Sequence, residues 1–203
     1  MNNQKPKAYI FIGRSGCGKG TQADLLMKWI CEQNQACKTL HIESGALLRE
    51  FVKGSSYSQK KCKEILDKGG LMPEFLVVGL WSNYLLNTLE TGENIVFDGC
   101  PRKLHEAITL DSALKFYKLD QTNVIYMNVS RDWSKARLNA RKRVDDTDEE
   151  IENRLNWFET EVMPTVNYYK NHPDYNFLDI NGEQTIEKVH SDIVKSLETN
   201  DHN

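Results

Sequence analysis

One stretch of nine residues, Gly13-Arg14-Ser15-Gly16-Cys17-Gly18-Lys19-Gly20-Thr21, constrains this chain more than any other part of it. Its spacing is that of a Walker A phosphate loop, with Gly20 inserted where Ser or Thr more often follows the lysine. Wrapping a phosphate chain requires backbone N–H groups that all point inward, and hence glycine conformations and few obstructing side chains. Gly13, Gly16 and Gly18 meet that need. The helix expected after the loop turns its positive end toward the same anion, and Lys19 adds a full charge. A plain glycine-rich turn without a ligand would leave the lysine without a role.

The flanks of the loop set the fold class. Residues 8–12 form a short β-type apolar run, and residues 21–32 carry apolar side chains at helical spacing: Ala23, Leu25, Leu26, Trp29 and Ile30. Further short strands are predicted at residues 39–42, 94–97, 123–129 and 176–180, with helical patterns between them. This alternation predicts an α/β three-layer sandwich of P-loop type, a five-stranded parallel sheet with helices on both faces. Ligands then bind beyond the carboxyl ends of the strands, where residues 13–21, 43–49 and 98–102 fall. At 203 residues one domain is expected, with a frayed polar end at residues 198–203.

Composition narrows the function classes. A net charge of -3 offers no broad attraction to nucleic acid. The longest apolar runs, residues 8–12 and 71–80, fall short of the ~20 residues a membrane-spanning helix needs. Residues 1–7 are polar and leave no room for the apolar core of a secretory signal, so the cytosol is the expected location. The five cysteines, Cys17, Cys31, Cys37, Cys62 and Cys100, are scattered without a closely spaced pair suited to zinc, and are read as reduced thiols.

Four segments, in order, carry a resemblance: Gly18-Lys19-Gly20-Thr21-Gln22; Ile42-Glu43-Ser44-Gly45-Ala46-Leu47-Leu48-Arg49; Asp98-Gly99-Cys100-Pro101-Arg102; and residues 137–146, Arg-Leu-Asn-Ala-Arg-Lys-Arg-Val-Asp-Asp, followed by Glu149, Ile151 and Arg154. Together they resemble the nucleoside monophosphate kinases, most closely those of the adenylate kinase type with a short lid. The resemblance implies reversible transfer of the terminal phosphoryl group of ATP to AMP, giving two ADP, with Mg²⁺. It also implies a monomer, a monophosphate-binding arm at residues 44–73 and a very short lid at about 137–147. No cysteine set for a zinc-bearing lid insert lies between Arg141 and Asp145, so no structural zinc is expected.

The resemblance assigns roles residue by residue. ATP is expected at Gly13, Ser15, Gly16, Cys17, Gly18, Lys19, Gly20 and Thr21, with Arg137 against its base and Arg141 and Gln184 nearby. The acceptor is expected at Ser44, Gly45, Arg49, Gly70, Leu71, Met72, Gly99, Arg102 and Glu106. Arg141, Arg143 and Arg154 close over the moving group, the last two also reaching the acceptor. Phosphoryl transfer is accelerated chiefly by in-line positioning and charge stabilisation, so Lys19, Arg102, Arg141, Arg143 and Arg154 are the candidate catalytic cations. Guanidinium suits this work because it grips phosphate in a planar fork and stays protonated. Any one arginine of residues 137–143 also fits a solvated charged face. Asp98 fits two compatible roles, orienting the water shell of Mg²⁺ and capping the turn into Gly99. Asp145 and Asp146 fit anchors of the lid hinge.

The chain departs from the family pattern at Glu106, where glutamine is usual, and at Ala46, Cys100 and Ser44. An ionised glutamate only accepts hydrogen bonds, so the acceptor base stays open between AMP and the monophosphates GMP, UMP and CMP. Cys17 is either a small loop residue or a thiol activated by the helix N-terminus and Lys19. Trp29, Trp81, Trp133 and Trp157 fit packing positions on helices. A protein that holds ATP for regulation alone would not need the segments around Arg49 and Arg102.

Overall fold

A computed structural model describes residues 5–33, 38–119, 121–141 and 147–201. Five strands, β1 (Ala8–Gly13), β2 (Thr39–Glu43), β3 (Asn94–Asp98), β4 (Thr122–Asn128) and β5 (Tyr175–Asn181), form one sheet in the order β2-β3-β1-β4-β5. All four pairings are parallel. The strands match the predicted segments to within one residue at each end. The first helix, α1 (Lys19–Gln33), starts two residues before the predicted 21, because the loop lysine already belongs to its first turn.

Both faces of the sheet are covered, and period-two alternation sorts the side chains between them. Ile10, Ile12, Ile42, Ile95, Phe97 and Val124 face one core. Tyr9, Phe11, Val96, Ile125, Met127 and Ile180 face the other. On the first face pack α4 (Glu74–Thr88) through Leu76, Val77, Trp81 and Leu85, α5 (Leu104–Phe116) through Ala107, Leu110 and Leu114, and α8 (Met163–Asn171) through Val166 and Tyr169. On the second, α1 buries Ala23, Leu26 and Ile30 beside Val189, Ile193 and Leu197 of α9 (Ile186–Asp201). Two short helices, α2 (Ser44–Phe51) and α3 (Tyr57–Leu66), follow β2. After β4 come α6 (Arg131–Arg141), α7 (Asp148–Trp157) and a π-helical turn, Phe158–Val162, that runs into α8.

Register brings the carboxyl ends of three strands level: Phe11 pairs with Asp98, and Asp98 with Glu43. The chain leaves each strand there into the phosphate loop, α2 and residues 99–103. The unusual residues of the sequence therefore collect at one end of the sheet.

Candidate active site

At that end lies a cleft of about 710 Å³, within the roughly 300–1,000 Å³ typical of small-molecule sites. One wall is the phosphate loop. Gly13, Gly16 and Gly18 all have positive φ, as expected of a loop that turns its amides inward. Gly13 is the most constrained, because a Cβ there would stand 2.7 Å from the carbonyl oxygen of Met127. Lys19 bends back over the loop, its Nζ donating to the carbonyls of Gly13 at 2.9 Å and Arg14 at 2.8 Å, and lying 3.5 Å from Cys17 Sγ. Gly13, Ser15, Gly16, Gly18, Lys19, Gly20 and Thr21 line the cleft. Cys17 does not; its thiol is buried under the loop, against the second core.

The floor is acidic. Asp98, nearly buried, ends β3 beside α1, with Oδ2 3.2 Å from the point a Cβ on Gly20 would occupy. Burial pushes its carboxyl above the usual aspartate value, while Lys19, His41 and Arg102 pull the other way. Asp24, His41 and Glu43 also line the cleft. Asp24 and His41 were not among the residues expected there; Glu43 was, as part of residues 43–49 at the end of β2.

The opposite wall comes from α2, residues 66–72 and residues 99–102. Arg49 pairs with Glu43 at 2.7 Å, both partly exposed. Arg102 donates through Nε to the carbonyl of Gly99 at 2.8 Å, and its guanidinium carbon lies 5.4 Å from the Trp157 ring centroid. Ser44 donates its hydroxyl to the same Gly99 carbonyl at 2.7 Å. Gly99 has φ of +76°, and a Cβ there would sit 2.9 Å from that hydroxyl, so a side chain would force the two segments apart. Gly45, Gly70 and Met72 line the cleft, while Leu71 is not among the lining residues.

Glu106, Gln184 and Ser44, like Cys17 and Leu71, are expected contacts that do not line the cleft. Glu106 is 1% exposed and does not line it. Its Oε2 accepts the backbone N–H of Arg102 at 2.7 Å, and its Oε1 is buried without a hydrogen-bond partner among the described residues. Burial raises its carboxyl above the usual glutamate value, with the backbone N–H and charge of Arg102 acting against it. Gln184 donates to the carbonyl of Asn181 and to Asp192, at 2.9 and 3.0 Å, and lies outside the lining.

The third wall is α6 and α7. Arg137, Arg141 and Arg154 line the cleft, and the guanidinium of Arg137 also lies 5.8 Å from the Trp133 ring centroid. Trp157, expected to serve packing, lines the cleft as well and donates Nε1–H to the carbonyl of Gly69 at 3.2 Å. Arg143, Asp145 and Asp146 fall outside the described residues. Six cations, Lys19, Arg49, Arg102, Arg137, Arg141 and Arg154, thus face three carboxylates, Asp24, Glu43 and Asp98, among the described lining residues. With inward amides at one wall and arginines at the other two, the cleft suits a chain of phosphates along its length.

The adenylate kinase family model matches residues 11–173 of the chain. An adenylate kinase of Prochlorococcus marinus is 34% identical over 191 residues, spanning 94% of this chain and 98% of that one. One of Leptospira biflexa is 30% identical over 195 residues, spanning 94% and 100%. Adenylate kinase 1 of a Nostoc species is 31% identical over 188 residues, spanning 93% and 97%.

Proposed function

This chain belongs to the adenylate kinase family of phosphotransferases, and we propose that it moves the terminal phosphoryl group of ATP to AMP, reversibly, giving two ADP. The observation that carries this reading is the pairing in one cleft of a phosphate loop with arginines from two other walls. A protein that only held ATP would need the loop; Arg49 and Arg102, beyond it, provide for a second anion.

In this reading the loop amides and Lys19 hold the β and γ phosphates of ATP, and Lys19 exchanges its contacts with the Gly13 and Arg14 carbonyls for phosphate oxygens. Arg49 and Arg102 hold the acceptor phosphate in line, which converts a bimolecular encounter into a positioned transfer. Arg141, Arg143 and Arg154 stabilise the negative charge spread over the moving group. Residues 44–73 act as the acceptor arm and residues 137–147 as the lid, closing to keep water from the reacting phosphate.

The family implies Mg²⁺ with the nucleotide. Among the described residues no group of three or more His, Cys, Asp and Glu suits a metal, and the nearly buried Asp98 carboxylate faces the loop. That donor set fits an ion held mainly by nucleotide phosphates and waters, with Asp98 as the partner of its water shell. Such an ion neutralises phosphate charge.

A second reading of the acceptor, GMP, CMP or UMP in place of AMP, stands beside the first, since Glu106 turns away from the cleft and presents no atom there to select the base. Steady-state ADP formation with Mg²⁺, ATP and each of AMP, GMP, CMP and UMP tests both. AMP should give the highest kcat/KM; AMP as the poorest acceptor rejects the first reading.

A further inference from the structure

Arg14 stands second in the phosphate loop, yet its side chain leaves the cleft. Nε donates to the carbonyl of Val129, just past β4, at 3.0 Å. Nη2 pairs with Glu159 at 2.5 Å. The guanidinium carbon stacks 4.2 Å from the centroid of Phe158, whose ring is fully buried and therefore a fixed platform. Phe158 and Glu159 open the π-helical turn that follows α7, four and five residues beyond Arg154 and directly after Trp157. Single π-helical turns of this kind inside helices are frequent at functional sites.

The other end of Arg14 is its carbonyl, which accepts from Lys19 Nζ at 2.8 Å. One residue thus links the loop lysine to the segment that carries Arg154. The link also has a cost, since Nη1 is buried with no hydrogen-bond partner among the described residues.

We propose that Arg14 is a positioning residue, pinning the phosphate loop to the π-helical turn so that Lys19 and Arg154 stay in register across the transferring phosphoryl group. The proposal rests on the phosphotransfer reading above. It needs the planar fork of arginine, because a lysine cannot reach Val129 and Glu159 together while stacking on Phe158.

The test compares wild type with Arg14→Ala, Arg14→Lys, Glu159→Gln and the double variant Arg14→Ala/Glu159→Gln, each with a thermal melt as a folding control. Misplacement of a reacting group by about 1 Å costs on the order of 100-fold, so kcat of Arg14→Ala should fall roughly 10- to 100-fold. KM for both nucleotides should move by less than about threefold, the pattern of a contact realised only in the transition state. Arg14→Lys should recover little, and the double variant should be no slower than Arg14→Ala. A lowered melting temperature with unchanged kcat, or full additivity of the two single substitutions, overturns the proposal. Amide NMR spectra of the free protein separate this from a wrong acceptor. Glu159→Gln, at an exposed site, should shift the Lys19 and Arg154 signals; an unmoved Lys19 signal overturns the proposal even if no monophosphate is phosphorylated.

Discussion

Glu106 accepts the backbone N–H of Arg102 at 2.7 Å and so closes the entry to α5 beneath the wall that carries Arg102. An acid at this position keeps one oxygen bonded and one buried oxygen without a partner. Its carboxyl is raised above the ordinary 4.5, mainly by burial. The folded protein therefore holds this proton more tightly than the unfolded chain, and the glutamate's contribution to stability falls as pH rises from about 4.5 through the raised value. Glu106→Gln keeps an acceptor for the Arg102 N–H and removes the titration. The variant should match wild type below pH 4.5 and be more stable at pH 7, read by urea unfolding across that range. A variant less stable than wild type at pH 7 contradicts this balance of burial against the Arg102 charge.

Lys19→Met should lower kcat by several hundred-fold or more, since removing a preorganised donor at a reacting centre costs about 3–4 kcal/mol. The lysine's contacts in the free protein are carbonyls of its own loop, so the fold should persist and the melting temperature should change little. Turnover at the wild-type rate would refute the role given to the loop.

Arg102→Ala should weaken use of the acceptor while sparing ATP affinity, because Arg102 lies with Gly99 on the wall opposite the loop. Titration calorimetry with each nucleotide separately reads the split. Equal losses for both would mean that the two pockets have been assigned the wrong way round.

Far from the chemistry, the nearly buried Asp111 of α5 accepts the hydroxyls of Tyr168 on α8 and Tyr175 on β5. Burial and the neighbouring carboxylate both raise these phenols above their usual range. Asp111→Ala strands two hydroxyls and should cost about 3 kcal/mol, with Tyr168→Phe costing about 1 kcal/mol, by chemical denaturation. None of the three lines the cleft, so kcat should be unchanged in either variant.

The central strands β1, β3 and β4 were legible because each is a short apolar run buried on both faces, and the edge strands β2 and β5, less buried, because their apolar residues alternate with polar ones. The loop was legible because glycine spacing is a backbone requirement that few other residues can meet. Side-chain direction was less so. Arg14 and Lys19 belong to one motif, yet one side chain runs out to Glu159 and the other lies over the loop. Helical phase alone placed Trp157 in the packing, where its indole N–H also secures Gly69 beside the cleft. Cys17 and Glu106 turned inward because buried space and an open backbone N–H, neither visible in a motif, decide where a short side chain settles. Asp24 and His41 reach the cleft through register between elements, which a linear pattern does not encode.

The central claim is that one cleft holds two phosphorylated nucleosides end to end. Calorimetric titration with a ligand in which two adenosines are joined by a chain of phosphates tests it most directly. One ligand should bind per protein, far more tightly than ATP or AMP alone, and should block the binding of both. Binding no tighter than ATP, with AMP still free to enter, would contradict the claim.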